Sequence, residues 1–193
     1  MMPSDLFSTE CAFVNTPAIS LDVHWQPARA QALPSQLAPW LLEPASLTAR
    51  LKRYCRQFRV QLLNEQRSTL PVFLQPLLPG TATAQLREVL LWCDDKPCVY
   101  AQSWLPAHTI ETLKPLADLG ERPLGDYIFQ QPGLQRGSIE TAQLQLALPQ
   151  CVAALCHARR SVFSLNGLPL LVAEVFLPAI TELQLAEADV ATP

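Results

Sequence analysis

Charged residues and glycine are both scarce in this chain. Only 16% of its 193 residues are Asp, Glu, Lys or Arg, only 6 are glycine, and the formal net charge is −3. Because no run of basic residues occurs, the chain lacks the usual surface for nucleic acid or an anionic membrane, and we expect neither partner. A hydrophobic content of 49% argues against disorder. The length suffices for one domain with a sizeable core.

Common catalytic and targeting signatures are also missing. The sequence has no G-x-S-x-G, P-loop, G-x-G-x-x-G or H-E-x-x-H motif, and its three histidines lie in no motif. No secretory signal is visible, since the first basic residue is Arg29. The longest apolar stretch, residues 168–178, is shorter than the roughly 18 residues that a membrane span needs. A cytoplasmic protein without a membrane span is therefore expected.

The cysteines give only a weak metal-binding pattern. Cys93 and Cys98, and likewise Cys151 and Cys156 followed by His157, have spacings that a zinc site can use. Against zinc, Cys93 lies in an apolar strand pattern, and isolated cysteines usually behave as small buried hydrophobic residues. We predict no metal site, and we expect the thiols to stay reduced in the cytoplasm.

Proline-rich breaks and apolar periodicity indicate a one-domain α+β fold. Residues 1–36 are predicted to form an irregular N-terminal arm, residues 37–180 the domain, and residues 181–193 a loose C-terminal tail. Strands are predicted at 57–64, 86–93, 98–105, 159–165 and 168–178, and helices at 37–43, 46–53, 109–114 and 124–130. Asn166-Gly167 is typical of a type I′ hairpin turn, and residues 153–158 are predicted to be helical. Hairpins with helices between them predict an antiparallel sheet.

One carboxylate interrupts the most apolar strand of the chain. Glu174 lies in the middle of residues 168–178, where a leucine or valine would fit the pattern equally well. Burying an ionised carboxylate costs several kcal/mol unless it is paired or hydrogen-bonded. Two interpretations stay open: Glu174 contacts a ligand, or it forms a structural ion pair with a buried arginine.

A guanidinium is predicted on the inward face of another strand. The predicted strand has Arg87, Val89, Leu91 and Cys93 at every second position, so the four side chains share one face. A planar guanidinium binds a carboxylate through two parallel hydrogen bonds. Together with Glu174, Arg87 therefore predicts a pocket for a small carboxylic acid, with a carboxylate of the protein at its other end.

Three stretches in this order and spacing resemble the chorismate pyruvate-lyase family. They are LREVLL at 86–91, RPLGDYIF at 122–129 and GLPLLVAEVFLP at 167–178. Shorter likenesses at 40–43, 46–48 and 159–161 extend the resemblance over roughly residues 37–180. It implies a single antiparallel β-sheet with helices packed on one side and a ligand pocket enclosed under helical flaps.

The resemblance also implies a function. The expected reaction converts chorismate to 4-hydroxybenzoate and pyruvate in the first step of ubiquinone biosynthesis, without a metal or organic cofactor. The expected partners are the substrate chorismate and the product 4-hydroxybenzoate, and we expect a monomer.

The family motifs assign roles to four residues of this sequence. By resemblance, Arg87 holds the ring carboxylate, and Glu174 faces the hydroxyl end of the ring. Leu124 contacts the ligand through its backbone, and Leu47 stands where the family commonly has a methionine lining the site. Arg87 and Glu174 are the predicted catalytic pair. Glu174 either accepts the C4 proton or only hydrogen-bonds the hydroxyl, and we favour positioning.

Some positions depart from the family pattern, and two alternative functions stay open. Gln102 stands where an arginine is expected, which predicts weaker binding of the second substrate carboxylate. His157 stands near an expected tryptophan, and residues 141–156 resemble an insertion. One alternative is a related lyase that acts on another enolpyruvyl compound. The other is a non-catalytic effector-binding domain, although residues 1–36 are too few and not basic enough for a DNA-binding domain.

Overall fold

One antiparallel β-sheet is the framework of the protein, seen in a computed structural model that describes residues 17–183. The sheet has the strand order β1-β6-β7-β8-β4-β3-β2, and the short β5 pairs with β7. The strands are β1 (Gln26–Pro27), β2 (Phe58–Thr69), β3 (Thr83–Cys93), β4 (Lys96–Pro106), β5 (Leu134–Arg136), β6 (Glu140–Leu146), β7 (Ala154–Leu165) and β8 (Leu168–Phe176). This architecture confirms the predicted α+β class with a single antiparallel sheet.

Helices pack on the front face of the sheet, which is the face that carries the side chains of Arg87 and Glu174. They are α1 (Ala38–Leu41), α2 (Leu47–Leu51), α3 (Ala107–Thr112) and α4 (Leu124–Ile128). The first two helices belong to a core cluster with Val89 and Leu91, and the other two to a cluster with Phe163. Helices shorter than about 12 residues are marginal in water, so these depend on packing against the sheet.

The back face of the sheet is covered by segments without long helices. Ile19 and Leu21, from the predicted N-terminal arm, are buried there against Leu90 and Val175. Residues 70–78, which follow β2, contribute three fully buried leucines to the same face. The sheet is therefore buried on both sides, as the apolar character of its central strands requires.

The predicted arm and tail extend beyond the described residues, since residues 1–16 and 184–193 lie outside them. Within the described part, Gln26–Pro27 of the arm pairs with β6 as the edge strand. At the other end, Pro178–Glu182 forms a 3-10 helix directly after β8.

The helix predicted at residues 153–158 is wrong, because these residues open the long strand β7. Cys156 and Ala158 are buried whereas Leu155 is exposed, which is the two-residue period of a strand. Pairing with β6 on one side and β8 on the other outweighs the helical propensity of alanine. Residues 141–156, which resemble an insertion, form most of the β6–β7 hairpin.

The hairpin between β7 and β8 has the predicted two-residue turn. Asn166 and Gly167 both adopt positive φ angles, 54° and 83°, as a type I′ turn requires. The turn pairs Leu165 with Leu168, and this register places Arg159 directly opposite Glu174.

Candidate active site

A cavity lies between the front face of the sheet and the helices. It contains about 540 Å³ of empty space, part of which is open to solvent. Strands β2, β3, β4, β7 and β8 provide its floor. Its roof consists of Leu47 and Thr48 from α2, and of residues 123–125, 128 and 129 in and beside α4. Leu47, Arg87, Leu124 and Glu174, the four residues assigned by resemblance, all line this one cavity.

The lining is mostly apolar, and its charged members are Arg87, Arg159 and Glu174. Low-polarity surroundings strengthen the interaction of each charge with a ligand because little water screens it. An apolar cavity with a few convergent charged groups is the usual form of a site for a small ligand.

Arg87 is held in place by the backbone of the segment before α4. Its side chain is only 2% exposed, and its Nη2 donates to the carbonyl oxygens of Gly120 at 2.8 Å and Arg122 at 3.0 Å. Burial lowers the pKa of this guanidinium, and the carboxylate of Glu65 opposes that shift. An arginine nevertheless stays protonated in proteins, so Arg87 is a fixed cation in the cavity.

Glu174 forms an ion pair with Arg159 on the neighbouring strand. The Nε of Arg159 lies 2.5 Å from Oε2 of Glu174, and the two side chains are 2% and 14% exposed. The predicted ion pair with a buried arginine is therefore confirmed. Glu174 also lines the cavity, and its contact with a ligand stays a prediction. The pair fixes the orientation of the carboxylate and compensates the cost of burying its charge.

Arg159 also ties the sheet to the end of α1. Its Nη1 donates to the backbone carbonyl oxygens of Trp40 at 3.0 Å, Leu41 at 3.4 Å and Glu43 at 2.8 Å. Residues 40–43 precede the roof helix α2, and they are thus joined to β7, the strand whose Arg159 positions Glu174.

Arg87 and Glu174 lie on floor strands that are separated by β4. Arg87 pairs with Ser103 of β4, and Ser103 pairs with Val172, two residues before Glu174. Two strand spacings and one two-residue step separate their Cα atoms by about 12 Å. The Arg87 guanidinium contacts Glu65 on β2 and the backbone before α4, and the Glu174 carboxylate contacts Arg159 on β7, so the two charged groups stand on either side of β4.

Leu47 and Leu124 are the first residues of the two roof helices. Ser46 caps α2 by accepting a hydrogen bond from the backbone N–H of Ala49 at 3.2 Å. The two helices approach closely at Gly125, where an added Cβ would lie 3.1 Å from the hydroxyl oxygen of Thr48. Both leucines are mostly buried, and their side chains complete the apolar lining of the roof.

Gln102 does not face the cavity, so it cannot weaken binding of a second carboxylate by replacing a cation there. It lies on the back face, where its Nε2 donates to the Ile19 carbonyl oxygen at 2.9 Å and to the Tyr100 hydroxyl at 2.9 Å. Trp104 Nε1 donates to Oε1 of Gln102 at 2.7 Å. This buried network also includes Glu88, which accepts a hydrogen bond from the Tyr100 hydroxyl.

The sequence interpretation missed Arg159 and Glu65. Arg159 belongs to a stretch noted for its family likeness, but the residue itself received no role. Its position was accessible, because counting outward from the Asn166-Gly167 turn pairs it with Glu174. Glu65 lies directly opposite Arg87 in a part of β2 that extends past the predicted strand end at residue 64.

The suggested zinc ligands lie on two different faces of the sheet. Cys93 and Cys98 are buried with Cys55 in the front-face core, whereas Cys156 is buried in the back-face core. Burial raises the pKa of the Cys55 thiol. Among residues 17–183 no group of three or more His, Cys, Asp and Glu side chains is placed to hold a metal ion. Nor does any helix in this range have the length and apolarity of a membrane span.

Comparison with known sequences identifies close relatives. The family model described as chorismate lyase matches residues 19–184. A "Probable chorismate pyruvate-lyase" from Pseudoalteromonas translucida (strain TAC 125) is 49% identical over 170 residues, which cover 83% of this chain and 94% of that protein. The chorismate pyruvate-lyase of Pectobacterium atrosepticum is 38% identical over 160 residues, covering 81% and 85% of the two chains.

A solved structure shares the fold at low sequence identity. It is the ligand-binding domain of a proposed GntR-family transcriptional regulator from Bordetella bronchiseptica. The TM-score is 0.51 at 14% identity, over 68% of this chain and 88% of that domain. At this identity the likeness concerns the fold alone.

Proposed function

Because the chain belongs to the chorismate lyase family, we propose that its front-face cavity converts chorismate to 4-hydroxybenzoate and pyruvate, the first step of ubiquinone biosynthesis. The observation that supports the site most directly is that Arg87 and Glu174 line one mostly apolar cavity from strands on either side of β4. 4-Hydroxybenzoate has the matching arrangement, with a carboxylate and a hydroxyl on opposite carbons of one ring.

Arg87 binds the ring carboxylate in this proposal. Two backbone carbonyl oxygens already fix its Nη2, so little side-chain entropy is lost when the ligand binds. The backbone of Leu124, at the start of α4, provides a further contact at the same end of the ring. Leu47 packs against the ring from the roof, and a leucine in place of a methionine keeps the side-chain volume similar.

Glu174 accepts a hydrogen bond from the C4 hydroxyl of the substrate. The ion pair with Arg159 keeps the carboxylate in one orientation, which favours a positioning role over proton abstraction. In the reaction the C3–O bond breaks with its electrons on the departing enolpyruvate, and the C4–H electrons complete the aromatic ring. The C4 proton is finally carried by the methyl group of pyruvate. Aromatisation supplies the driving force, so the protein chiefly orients the substrate and excludes water.

The roof formed by α2 and α4 acts as a pair of flaps over the bound ring. Close packing at Gly125 and an ion pair of 2.6 Å between Lys52 and Asp126 connect the two helices. Substrate entry and product release therefore require the helices to separate, and release limits turnover. We also propose that the enzyme is a cytoplasmic monomer that uses no cofactor and binds no nucleic acid.

The proposed activity is tested by incubating the purified protein with chorismate and measuring 4-hydroxybenzoate and pyruvate separately. We expect equal amounts of both products. The Arg87→Ala variant should release neither, whereas Arg29→Ala, which alters an exposed arginine, should match the wild type. Pyruvate with a different aromatic product would indicate a related lyase. If neither product forms and 4-hydroxybenzoate raises the melting temperature, the protein is an effector-binding domain.

A further inference from the structure

Chorismate carries two carboxylates, one on the ring and one on the enolpyruvyl group, and Arg87 accounts for only the first. The expected second cation at position 102 is a glutamine, and it lies on the back face of the sheet. The other guanidinium that lines the cavity is Arg159. We propose that Arg159 binds the enolpyruvyl carboxylate and stabilises the departing enolpyruvate, an inference that rests on the proposed lyase function.

The positions of the three charged groups agree with the shape of chorismate. Arg87 lies on β3, Glu174 two strands away on β8, and Arg159 one strand further on β7. In chorismate the ether carbon C3 is next to the hydroxyl carbon C4. With the ring carboxylate at Arg87 and the hydroxyl at Glu174, the enolpyruvyl group therefore branches from the ring at the end where Arg159 is found.

Arg159 has donors left for this contact. Its hydrogen bonds to other residues of the 17–183 range use Nε, toward Glu174, and Nη1, toward three carbonyl oxygens before α2. The two N–H groups of Nη2 are therefore available to a ligand carboxylate in the cavity. Because the other nitrogens hold the guanidinium rigidly, it is preorganised for the charge that develops as the C3–O bond breaks.

A second guanidinium adds to the positive potential at this end of the cavity. Arg136 donates from Nη1 to the Glu43 carbonyl oxygen at 2.8 Å, the same oxygen that accepts from Arg159. Burial and the adjacent charge of Arg159 lower the pKa of Arg136 to about 10. Two guanidiniums thus share one carbonyl oxygen. The carboxylates near them are Glu174, paired with Arg159, and Glu43, which is paired with a third guanidinium, Arg50.

The decisive test is a comparison of two stable ligands. 4-Hydroxybenzoate has only the ring carboxylate, whereas 3-(carboxymethoxy)-4-hydroxybenzoate adds an ether-linked carboxylate at the position of the leaving group. Calorimetry should show that Arg159→Met weakens binding of the second ligand at least about tenfold more than binding of the first. Arg159→Lys should recover part of this difference. Glu174→Gln, which keeps the cation, should retain the wild-type difference.

A kinetic measurement decides the question independently of the analogue. If Arg159 acts on the leaving group, Arg159→Lys lowers kcat about a hundredfold or more while the Kd of 4-hydroxybenzoate changes less than about threefold. The inference would be overturned if kcat and the affinity for 4-hydroxybenzoate fell equally, or if binding of both ligands weakened equally. Either result would show that Arg159 only supports Glu174 and α1. Failure of the wild type to release pyruvate would instead refute the lyase function.

Discussion

Glu65 faces Arg87 across β2 and β3 in direct register, with Oε1 of Glu65 3.6 Å from Nε of Arg87. Both atoms are buried, and neither has a hydrogen-bond partner among residues 17–183. The distance is too long for a good hydrogen bond, so the two residues attract each other through charge alone. The carboxylate of Glu65 therefore competes with the ring carboxylate of the ligand for the charge of Arg87, the proposed anchor.

Replacing Glu65 with glutamine should tighten binding of 4-hydroxybenzoate by roughly three- to tenfold, because a repulsive charge near the ligand carboxylate is removed. If product release limits turnover, kcat falls by a similar factor. Calorimetry with 4-hydroxybenzoate and with phenol, which lacks the carboxylate, checks the cause. Affinity for phenol should not change, and a parallel gain for both ligands would show that the effect is not electrostatic.

Removing Glu174 should separate binding from turnover. We expect Glu174→Ala to abolish pyruvate release but to retain part of the affinity for 4-hydroxybenzoate, because Arg87 still binds the ring carboxylate. Arg87→Ala should lose both. The paired measurements are a stopped assay for pyruvate and a titration of 4-hydroxybenzoate. Turnover at the wild-type rate in Glu174→Ala would mean that this residue serves only the ion pair with Arg159.

Gly125 should control the closure of the roof. In Gly125→Ala the new methyl group would lie 3.1 Å from Oγ1 of Thr48 and 3.2 Å from the Ser46 hydroxyl, so the two hydroxyls or the helices that carry them must shift slightly. We expect faster dissociation of 4-hydroxybenzoate, by about tenfold if closure is coupled to binding. Stopped-flow measurement of dissociation tests this. The matched variant Gly125→Ala/Thr48→Ala should recover part of the wild-type rate, and no recovery would argue against the steric cause.

Gln102 should matter for stability and not for ligand binding. Gln102→Ala leaves Trp104 Nε1 and the Ile19 carbonyl oxygen without their partner, which should lower the free energy of unfolding by about 1–3 kcal/mol. Urea denaturation measures the loss. The Kd of 4-hydroxybenzoate should stay within about twofold of the wild-type value, because Gln102 and the cavity lie on opposite faces of the sheet and act nearly independently. A larger loss of affinity would contradict the assignment of Gln102 to the back face.

His157 should make the protein less stable in mild acid. Burial lowers the pKa of His157 in the folded state, so the unfolded chain takes up the proton at a higher pH. This contribution to stability is complete above about pH 6.5 and is lost as the pH falls below that value. Thermal melts from pH 8 to pH 5 should show a smaller decline for His157→Gln, and identical declines would exclude His157 as a cause.

The strands were predictable where one residue in two was apolar, and where turn residues fixed their ends. Arg87 on the inward face and the Asn166-Gly167 turn both follow from such local patterns. The helix prediction for residues 153–158 failed because three alanines and a leucine suit either structure, and only pairing with both neighbouring strands decides.

The sequence pointed to residues that line one cavity but not to the contacts that hold them. Glu174 is conspicuous because it interrupts an apolar strand, and Arg87 because it shares a face with apolar residues. The partners of these two residues are set by contacts between distant parts of the chain. Glu65 approaches Arg87 only through the β2–β3 pairing, and the carbonyl oxygens that hold Arg87 come from residues more than thirty positions away. No local pattern reports such contacts.

Arg87 and Glu88 are neighbours in sequence but belong to opposite faces of the sheet, one in the cavity and the other in the buried network with Tyr100. A one-residue slip of β3 during assembly would exchange them, since every side chain of a slipped strand changes face. The misassembled sheet would present an acid to an acidic substrate and bury an unmatched cation. Correct strand pairing and correct charge in the cavity are thus the same event, so a misfolded chain of this kind could not act as a weakly active enzyme.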